Sequence, residues 1–315
     1  MYYPLASKEH VSTYDMRLGK SVFTVDVEDW FHILDIPSSP PAAQWAFLPS
    51  RVEKNFFRLL DLFSEKRVHV TCFFLGWIAD HFPHLVQEAV RRGHEVASHG
   101  YAHRLVNTMR RQEFREDAVR AKKLLEDIGG RPVLGYRAPG FSLTRETSWL
   151  FDELIAAGYL YDSSLFPAPR GHGGDPSFSR TPAVWGDSNR SLVEFPITVT
   201  DWGGRAVCLF GGGYLRFFPY SVIRREANKV LSTGQPVIFY VHPREIDPTH
   251  PRLPMNAYRH FKSYFNLNST LPKVLRILDD FRFSTFRDLL AAGDHWPRPS
   301  TVHTRTTLGS QEVQR

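Results

Sequence analysis

Short apolar runs that alternate with amphipathic helical patterns are the feature that most restricts how this chain can fold. Residues 21–27, SVFTVDV, are rich in β-branched side chains and are typical of a buried strand. The segment at 51–66 repeats Val52, Phe56 and Leu59 at helical spacing. Further strands are predicted at 68–75, 94–99, 192–197 and 236–242. Such repeated strand–helix units predict an α/β fold with a mostly parallel sheet.

Capping signals mark where the predicted helices begin. Ser50 and Glu53 form a capping-box pattern at the start of the first helix. Pro83 is well placed to open the second helix, because proline is favoured at the first helical position. Two later helices are predicted at about 110–128 and at 271–281.

The composition is that of one folded domain with polar ends. Hydrophobic residues make up 42% of the 315 residues and charged residues 23%, as in ordinary globular proteins. We expect a single domain at 20–290, an N-terminal extension at 1–19 and a polar, flexible tail at 291–315. Residues 195–265 mix glycine, proline and aromatic side chains, which predicts a substrate wall built from loops.

Charge and cysteine content exclude several classes of protein. The net charge of +6 is spread without basic runs, and no nucleic-acid-binding motif occurs, so we expect no nucleic acid partner. Cys72 and Cys208 are too few for a disulfide framework or a cysteine metal site. The chain has no signal-peptide pattern and no run of roughly 18 apolar residues, which predicts a cytoplasmic protein without a membrane span. These patterns leave the oligomeric state undefined.

Metal-competent and acid–base side chains lie at the C-terminal ends of three of the predicted strands. They are Asp26, Glu28 and Asp29 at the end of the first strand, His99 and His103 at the end of the third, and His242 at the end of the strand at 236–242. Functional groups of α/β folds gather at the C-terminal ends of the parallel strands. We therefore expect these side chains to meet at one edge of the sheet.

The spacing of His99 and His103 predicts a cation site. In a helical turn, residues four apart place both imidazoles on one face. Two histidines and one carboxylate, with positions left open for water, form a common hydrolytic zinc site. On an extended strand Asp26 and Glu28 point to one side and Asp29 to the other, which favours Glu28 as ligand and Asp26 as free base. Asp29 becomes the alternative ligand if the strand ends or bulges early.

Arg137 and His242 complete the predicted catalytic set. An arginine that follows a short strand is suited to hold the base carboxylate in its ionised form and to orient it. His242 is suited to act as the general acid that protonates the leaving amine.

Five motifs in order across residues 20–290 resemble the NodB-homology polysaccharide deacetylases, carbohydrate esterase family 4. They are TVDVEDWFH at 24–32, SHGYAH at 98–103, GYRAPGFS at 135–142, YDSSLFP at 161–167 and FYVHPREID at 239–247. The DVEDW opening is similar to that of the subgroup encoded with exosortase and exopolysaccharide loci. The resemblance implies a distorted (β/α)7 barrel, a divalent metal that is usually zinc, and N-deacetylation of amino sugars in a glycan.

The resemblance also implies a role for individual residues. These roles are catalytic base for Asp26, base-positioning arginine for Arg137, general acid for His242, and metal ligands for Glu28, His99 and His103, with Asp29 as the alternative to Glu28. A second group is expected to bind or support the substrate: Trp30, Tyr101, Phe141 and Asp162. The backbone amide of Tyr101 or Gly140 is a candidate donor to the oxyanion.

Three other functions are compatible with parts of this pattern. The departure of the opening motif from the commoner TFDDG resembles relatives that hydrolyse small cyclic or linear amides. A catalytically silent glycan-binding relative would keep the same fold. A non-haem iron oxygenase also uses two histidines and one carboxylate, but usually on a double-stranded β scaffold.

Overall fold

The computed structural model describes residues 20–34, 36–292 and 296. The predicted extension at 1–19 and nearly all of the predicted tail lie outside the described residues. The strands are β1 (Ser21–Val27), β2 (Thr71–Phe74), β3 (Glu95–Ser98), β4 (Gly135–Tyr136), β5 (Tyr161–Asp162), β6 (Ala183–Gly186), β7 (Ser191–Glu194), β8 (Thr200–Trp202), β9 (Arg205–Val207) and β10 (Val237–Val241). The α-helices are α1 (Ala42–Trp45), α2 (Val52–Lys66), α3 (Gly76–His81), α4 (Pro83–Arg91), α5 (Arg111–Gly129), α6 (Leu150–Ala156), α7 (Gly212–Phe217), α8 (Tyr220–Ser232), α9 (Ala257–Tyr264), α10 (Thr270–Asp280) and α11 (Phe286–Ala291).

Eight strands form one curled sheet in the order β10-β1-β2-β3-β4-β5-β7-β6. Neighbouring strands are parallel except for β6 and β7, so the sheet contains seven parallel strands. The remaining strands, β8 and β9, pair with each other in a separate antiparallel hairpin. The prediction of an α/β fold with a barrel-type parallel sheet is confirmed, and the sheet has the shape of a half-barrel.

The two faces of the sheet bury different cores. Phe23 and Val25 of β1 belong to the larger core, which also contains the apolar faces of the surrounding helices. Val22 of β1, Phe73 of β2 and Ile238 of β10 belong to a smaller core inside the curl. Since side chains alternate along a strand, the even-numbered residues of β1 face the inside of the half-barrel.

This alternation places the polar residues that follow the strands inside the curl. Ala97 and Tyr240 belong to the inner core, and His99 and His242 each come two residues later. Asp26 shares the inner face of β1 with Val22. The strand ends therefore direct these side chains toward one another, as the sequence predicts.

Helix α2 begins where the apolar pattern predicts, but its predicted capping box is wrong. Its N-cap residue is Arg51, whose side chain forms no capping hydrogen bond. The hydroxyl of Ser50 instead donates to the carboxylate of Asp29, at 2.6 Å. None of the described helices is both long enough and apolar enough to cross a membrane.

Residues 195–265 contain more regular structure than the predicted loops. Besides β10, the strand predicted at 236–242, they include the β8–β9 hairpin and helices α7, α8 and α9. Gly212 and Gly213 open α7, and Leu215 packs into the larger core with 1% of its surface exposed. Burial of one apolar residue therefore stabilises a helix in a segment whose glycines indicate a loop.

Candidate active site

Glu28, His99 and His103 form a buried cluster at the C-terminal ends of β1 and β3. Nε2 of His99 lies 3.1 Å from Oε1 of Glu28, and Nε2 of His103 lies 2.9 Å from the same oxygen. One ligand atom of each residue lies within 4.8 Å of the other two. Burial acts to raise the pKa of Glu28, but His103 and His242 hold this pKa well below its ordinary value. The three residues are thus a candidate metal-binding triad.

The hydrogen bond of Nδ1 shows that Nε2 is the nitrogen of His99 that faces the candidate cation position. Nδ1 of His99 lies 2.8 Å from the backbone carbonyl of Arg137. A carbonyl oxygen only accepts hydrogen bonds, so Nδ1 donates and Nε2 keeps its lone pair. Metal-binding histidines commonly carry such an outer hydrogen bond. Two imidazole nitrogens and one carboxylate oxygen fit a divalent cation such as zinc.

The two histidines reach the triad without a helical turn, so that part of the prediction is wrong. The chain bends after β3, and Gly100 and His103 have positive φ angles of 72° and 51°. Asp117 of α5 accepts the Tyr101 amide at 2.7 Å and the Ala102 amide at 3.2 Å. These contacts fix the bend, which turns both imidazoles toward the end of β1.

Asp29 lies outside the triad and binds backbone amides instead. Its Oδ1 accepts the Trp30 amide at 2.8 Å, which caps a short 3-10 helix. Its Oδ2 accepts the Ser50 hydroxyl at 2.6 Å and the amides of Arg51 and Val52 at 2.9 and 3.2 Å. Because these contacts occupy the carboxylate, the geometry favours Glu28 over Asp29 as the ligand.

Replacing Asp29 with alanine is expected to lower the free energy of unfolding by about 2–4 kcal/mol, because the first turn of α2 loses its acceptor. Asp29→Asn keeps one acceptor oxygen and should lose roughly half as much. After incubation with zinc, both variants should retain as much of the metal as the wild type does. Urea denaturation and metal analysis check the two expectations, and loss of zinc from Asp29→Ala with an unchanged stability would reverse this assignment.

Asp26 and Arg137 form a fully buried ion pair beside the triad. Nη1 of Arg137 donates to Oδ1 of Asp26 at 2.6 Å and to Oγ1 of Thr24 at 2.8 Å. Nη2 donates to the Ser163 hydroxyl at 3.2 Å, and the guanidinium lies 4.0 Å from the centre of the Phe73 ring. The arginine is therefore held on several sides and orients one oxygen of Asp26, which leaves Oδ2 for other contacts.

His242 stands opposite this pair, at the end of β10. Its Nε2 lies 3.9 Å from Oδ2 of Asp26 and 3.8 Å from Oε1 of Glu28. Its Nδ1 lies 3.0 Å from Oε2 of Glu245, whose other oxygen forms a buried ion pair with Arg216. Burial lowers the pKa of His242 to about 4. Sequence reasoning missed Glu245 and Arg216, although the carboxylate comes three residues after the histidine.

These groups open into one cavity of about 400 Å³. Asp26, Glu28, His103 and His242 line it. Phe141 also lines the cavity, as the prediction of a substrate-binding role requires, and lies 5.2 Å from Tyr240 between ring centres. The cavity thus places a carboxylate, a candidate cation site and an imidazole around one space.

Gly140 lies on the wall of the cavity in a conformation that requires glycine. Its φ angle is 64°, and a Cβ atom there would lie 2.8 Å from Nε2 of His172. The Gly140 carbonyl lies 3.0 Å from that same nitrogen. The turn therefore brings the backbone close to the space that a substrate would enter.

Trp30 and Tyr101 are not among the described residues that line the cavity. Trp30 packs edge-on against Phe31 and donates its Nε1–H to the Pro49 carbonyl at 3.0 Å. The Tyr101 hydroxyl donates to Asp80 at 2.7 Å. The Tyr101 amide already donates to a carboxylate of α5, which removes it as a free oxyanion donor. Both residues were expected to contact substrate, and the structure places them elsewhere.

Asp162 lies at the end of β5, behind the cavity wall rather than on it. It accepts the Ser164 hydroxyl at 2.7 Å, and that hydroxyl in turn accepts the Ala138 amide at 2.8 Å. Burial and the charge of Asp162 raise the pKa of Glu194 well above its ordinary value. Glu194 therefore holds its proton to a higher pH than an ordinary glutamate, and its Oε1 accepts the Leu165 amide at 2.9 Å next to the segment that contacts Arg137.

The raised pKa of Glu194 predicts a pH dependence of stability. A carboxyl group with a raised pKa in the folded state stabilises the fold below the ordinary glutamate value of about 4.3, and this contribution is lost as pH rises through the folded pKa. Glu194→Gln keeps a donor and an acceptor but does not titrate. We expect its melting temperature to fall less than that of the wild type between about pH 5 and about pH 9. Glu116→Gln, an exposed control, should keep the wild-type slope.

His32 is a site residue that the sequence analysis did not select. It lines the cavity, and its ring centre lies 5.6 Å from that of His103. Its Nδ1 accepts the Asp29 amide at 3.0 Å, so its Nε2 carries the proton and cannot bind a metal. Burial lowers the pKa of His32 well below its ordinary value, which keeps the ring neutral. The WFH segment gives no spacing signal that would have revealed this role.

Comparisons with known proteins cover most of the chain in two parts. Residues 48–159 match the family model described as polysaccharide deacetylase, and residues 163–291 match a domain of unknown function, DUF3473. A peptidoglycan deacetylase of Helicobacter pylori is 28% identical over 145 residues, which are 46% of this chain and 45% of that protein. A peptidoglycan-N-acetylglucosamine deacetylase of Bacillus cereus is 26% identical over 97 residues, 30% of this chain and 35% of that protein. The chain spans less than half the length of either relative.

Solved structures share the fold over a larger part of the chain. A Mycobacterium smegmatis protein assigned as a polysaccharide deacetylase has a TM-score of 0.59 and 23% identity, over 89% of this chain and 93% of its own. The Puue allantoinase has a TM-score of 0.58 and 16% identity, over 93% of this chain and 97% of its own. Residues 48–159 are therefore similar to polysaccharide deacetylases, and the described fold is shared with the Mycobacterium smegmatis protein and with the allantoinase.

Proposed function

We propose that the protein is a zinc-dependent hydrolase that removes the N-acetyl group from an amino sugar of a polysaccharide. The observation that carries this proposal is the convergence of three units on one cavity: the Asp26–Arg137 pair, the candidate triad and His242. The names of the Helicobacter and Bacillus relatives support a glycan amide as the substrate.

Glu28, His99 and His103 would hold the cation. When bound there, a divalent cation supplies polarisation of the amide carbonyl and acidification of a water molecule. Asp26 takes up the proton of the attacking water through Oδ2, the oxygen that Arg137 leaves available. Arg137 supplies the opposite charge and keeps the carboxylate in place while the proton moves.

His242, whose lowered pKa leaves Nε2 without a proton, receives at Nε2 the proton that Asp26 takes from the water and passes it to the departing nitrogen. Its Nε2 lies within 4 Å of Asp26 and Glu28 and lines the cavity, so it is near the bond that breaks. Glu245 accepts Nδ1–H of His242 and balances the positive charge on the protonated ring. Arg216 fixes Glu245 from the other side, so the imidazole keeps its orientation during proton transfer.

The DVEDW opening supports a finer assignment within the proposal. It resembles the opening of the subgroup encoded with exosortase and exopolysaccharide loci, and this likeness supports a role in making an exopolysaccharide or a cell-envelope glycan. Zinc is the proposed metal because two imidazoles and one carboxylate are its common hydrolytic ligand set.

Acetate release tests the proposal directly. The full chain, loaded with zinc, is incubated with N-acetylated oligosaccharides and in parallel with allantoin, each with and without a chelator. We expect acetate from an oligosaccharide and its loss on chelation. Ring opening of allantoin without acetate release would instead favour a small cyclic amide as substrate, and saccharide binding without any hydrolysis would favour a silent glycan-binding protein.

A further inference from the structure

The carboxylates that line the cavity already have partners within the protein. Asp26 pairs with Arg137, and Glu245 pairs with Arg216. Glu28 belongs to the candidate triad, where a divalent cation would more than offset its charge. These acids are therefore not available to neutralise Arg244 and Arg170, which also line the cavity.

Arg244 is a positive group of this kind. It follows His242 by two residues, lies on the 3-10 helix Pro243–Ile246 and lines the cavity. Its Nε and Nη1 atoms are buried without a hydrogen-bond partner among the described residues. No described carboxylate comes within ion-pair distance of its guanidinium, and burial lowers its pKa. A buried charge without a partner destabilises the fold, so an anion from outside the chain would stabilise it.

Arg170 also lines the cavity, and no described carboxylate lies within ion-pair distance of its guanidinium. Its guanidinium lies 5.2 Å from the centre of the Phe141 ring and 4.9 Å from that of Phe166. Its Nε contacts Nε2 of His172 at 3.4 Å. Aromatic rings orient a guanidinium but leave its charge available, so Arg170 is a second donor suited to an acidic group.

We infer that the cavity takes an acidic glycan, in which a carboxylate or phosphate near the N-acetyl group binds Arg244 and Arg170. The inference rests on the proposed function for the reaction, whereas the preference for an acidic ligand is a separate property of the cavity. Guanidinium groups bind both kinds of oxyanion through paired hydrogen bonds. A neutral chitin-type oligomer would leave both charges unmatched.

Calorimetry with matched ligands tests the preference without relying on turnover. The zinc-loaded Asp26→Asn protein is titrated with a disaccharide of N-acetylglucosamine and N-acetylmuramic acid, and with the methyl ester of that disaccharide. N-acetylglucosamine 6-phosphate and N-acetylglucosamine form the phosphate pair. We expect the acidic member of at least one pair to bind about tenfold more tightly, and the pair that discriminates identifies the acidic group.

Arg244→Gln, built in the same background, should abolish that discrimination and leave the affinity for the neutral member unchanged. Arg244→Lys keeps the charge and should keep part of the discrimination between acidic and neutral ligands. This variant separates loss of charge from misfolding. Arg224→Gln, an exposed arginine of α8, is the matched control. Equal binding of acidic and neutral ligands by the parent protein overturns the inference, and so does discrimination that survives in Arg244→Gln.

Acetate release by the wild type from the acid and its ester separates this inference from the proposed function. Tight, Arg244-dependent binding of the acid with no acetate from either ligand would refute the deacetylase and keep the acidic ligand. Equal acetate release from the acid and its ester, with equal binding, would keep the deacetylase and refute the preference.

Discussion

Replacing Asp26 with asparagine is expected to lower the rate of acetate release by about 10²- to 10⁴-fold, the usual contribution of a positioned general base. Asparagine has nearly the same shape, so the substrate should still enter the cavity. We expect kcat to decrease, because the side-chain amide of asparagine cannot take up the proton of the attacking water.

The same substitution removes the charge partner of Arg137, which is fully buried. We therefore also expect the free energy of unfolding to fall by about 3 kcal/mol, as when one member of a buried pair is removed. Thermal unfolding shows whether the fold persists at the assay temperature. Asp61→Asn, an exposed aspartate of α2 that pairs with Arg92, is the control for activity and stability. A variant at position 26 with wild-type kcat would remove Asp26 from the catalytic set.

Glu28→Gln is expected to weaken zinc binding by at least about a hundredfold, since even outer-sphere partners of metal ligands contribute that much. Glutamine keeps an oxygen but loses the charge that attracts the cation. Metal analysis after dialysis should find the wild type loaded and the variant largely empty, and acetate release should fall with the metal content.

Excess zinc in the assay provides the control for Glu28→Gln. If the variant folds and retains His99 and His103, a high zinc concentration should restore part of the activity. Asp29→Ala, one residue away, should keep its zinc throughout. A Glu28→Gln protein that holds one equivalent of zinc after dialysis would show that the cation binds elsewhere.

The sequence predicts the parts of the site that depend on strand periodicity. Asp26 lies near the end of a parallel strand, and His99 and His242 each directly follow one. The alternation of side chains along these strands places all three inside the curl. This information is local, because two or three repeats of the side-chain alternation are enough to recognise a strand without knowing its neighbouring strands. Parallel pairing then aligns the strand ends at one edge.

Other parts depend on contacts between distant segments and leave no local signal. Asp29 accepts backbone amides at the start of a helix that begins more than twenty residues later. Its neighbours in the sequence therefore predict a metal ligand as readily as a helix-capping residue. The bend that carries His103 depends on a carboxylate of α5. Arg244 has a sequence context like that of any surface arginine, and only the surrounding burial shows that it lacks a partner.

Arg137 serves two neighbours through two different parts of one residue. Its side chain holds Asp26, while its backbone carbonyl holds Nδ1 of His99. A side-chain substitution acts on the first contact and spares the second, whereas an insertion or deletion in β4 would displace both together. Changes in the length of β4 should therefore be tolerated far less than replacement of the Arg137 side chain. A conserved length of this strand is then a more stringent marker of an active relative than the arginine itself.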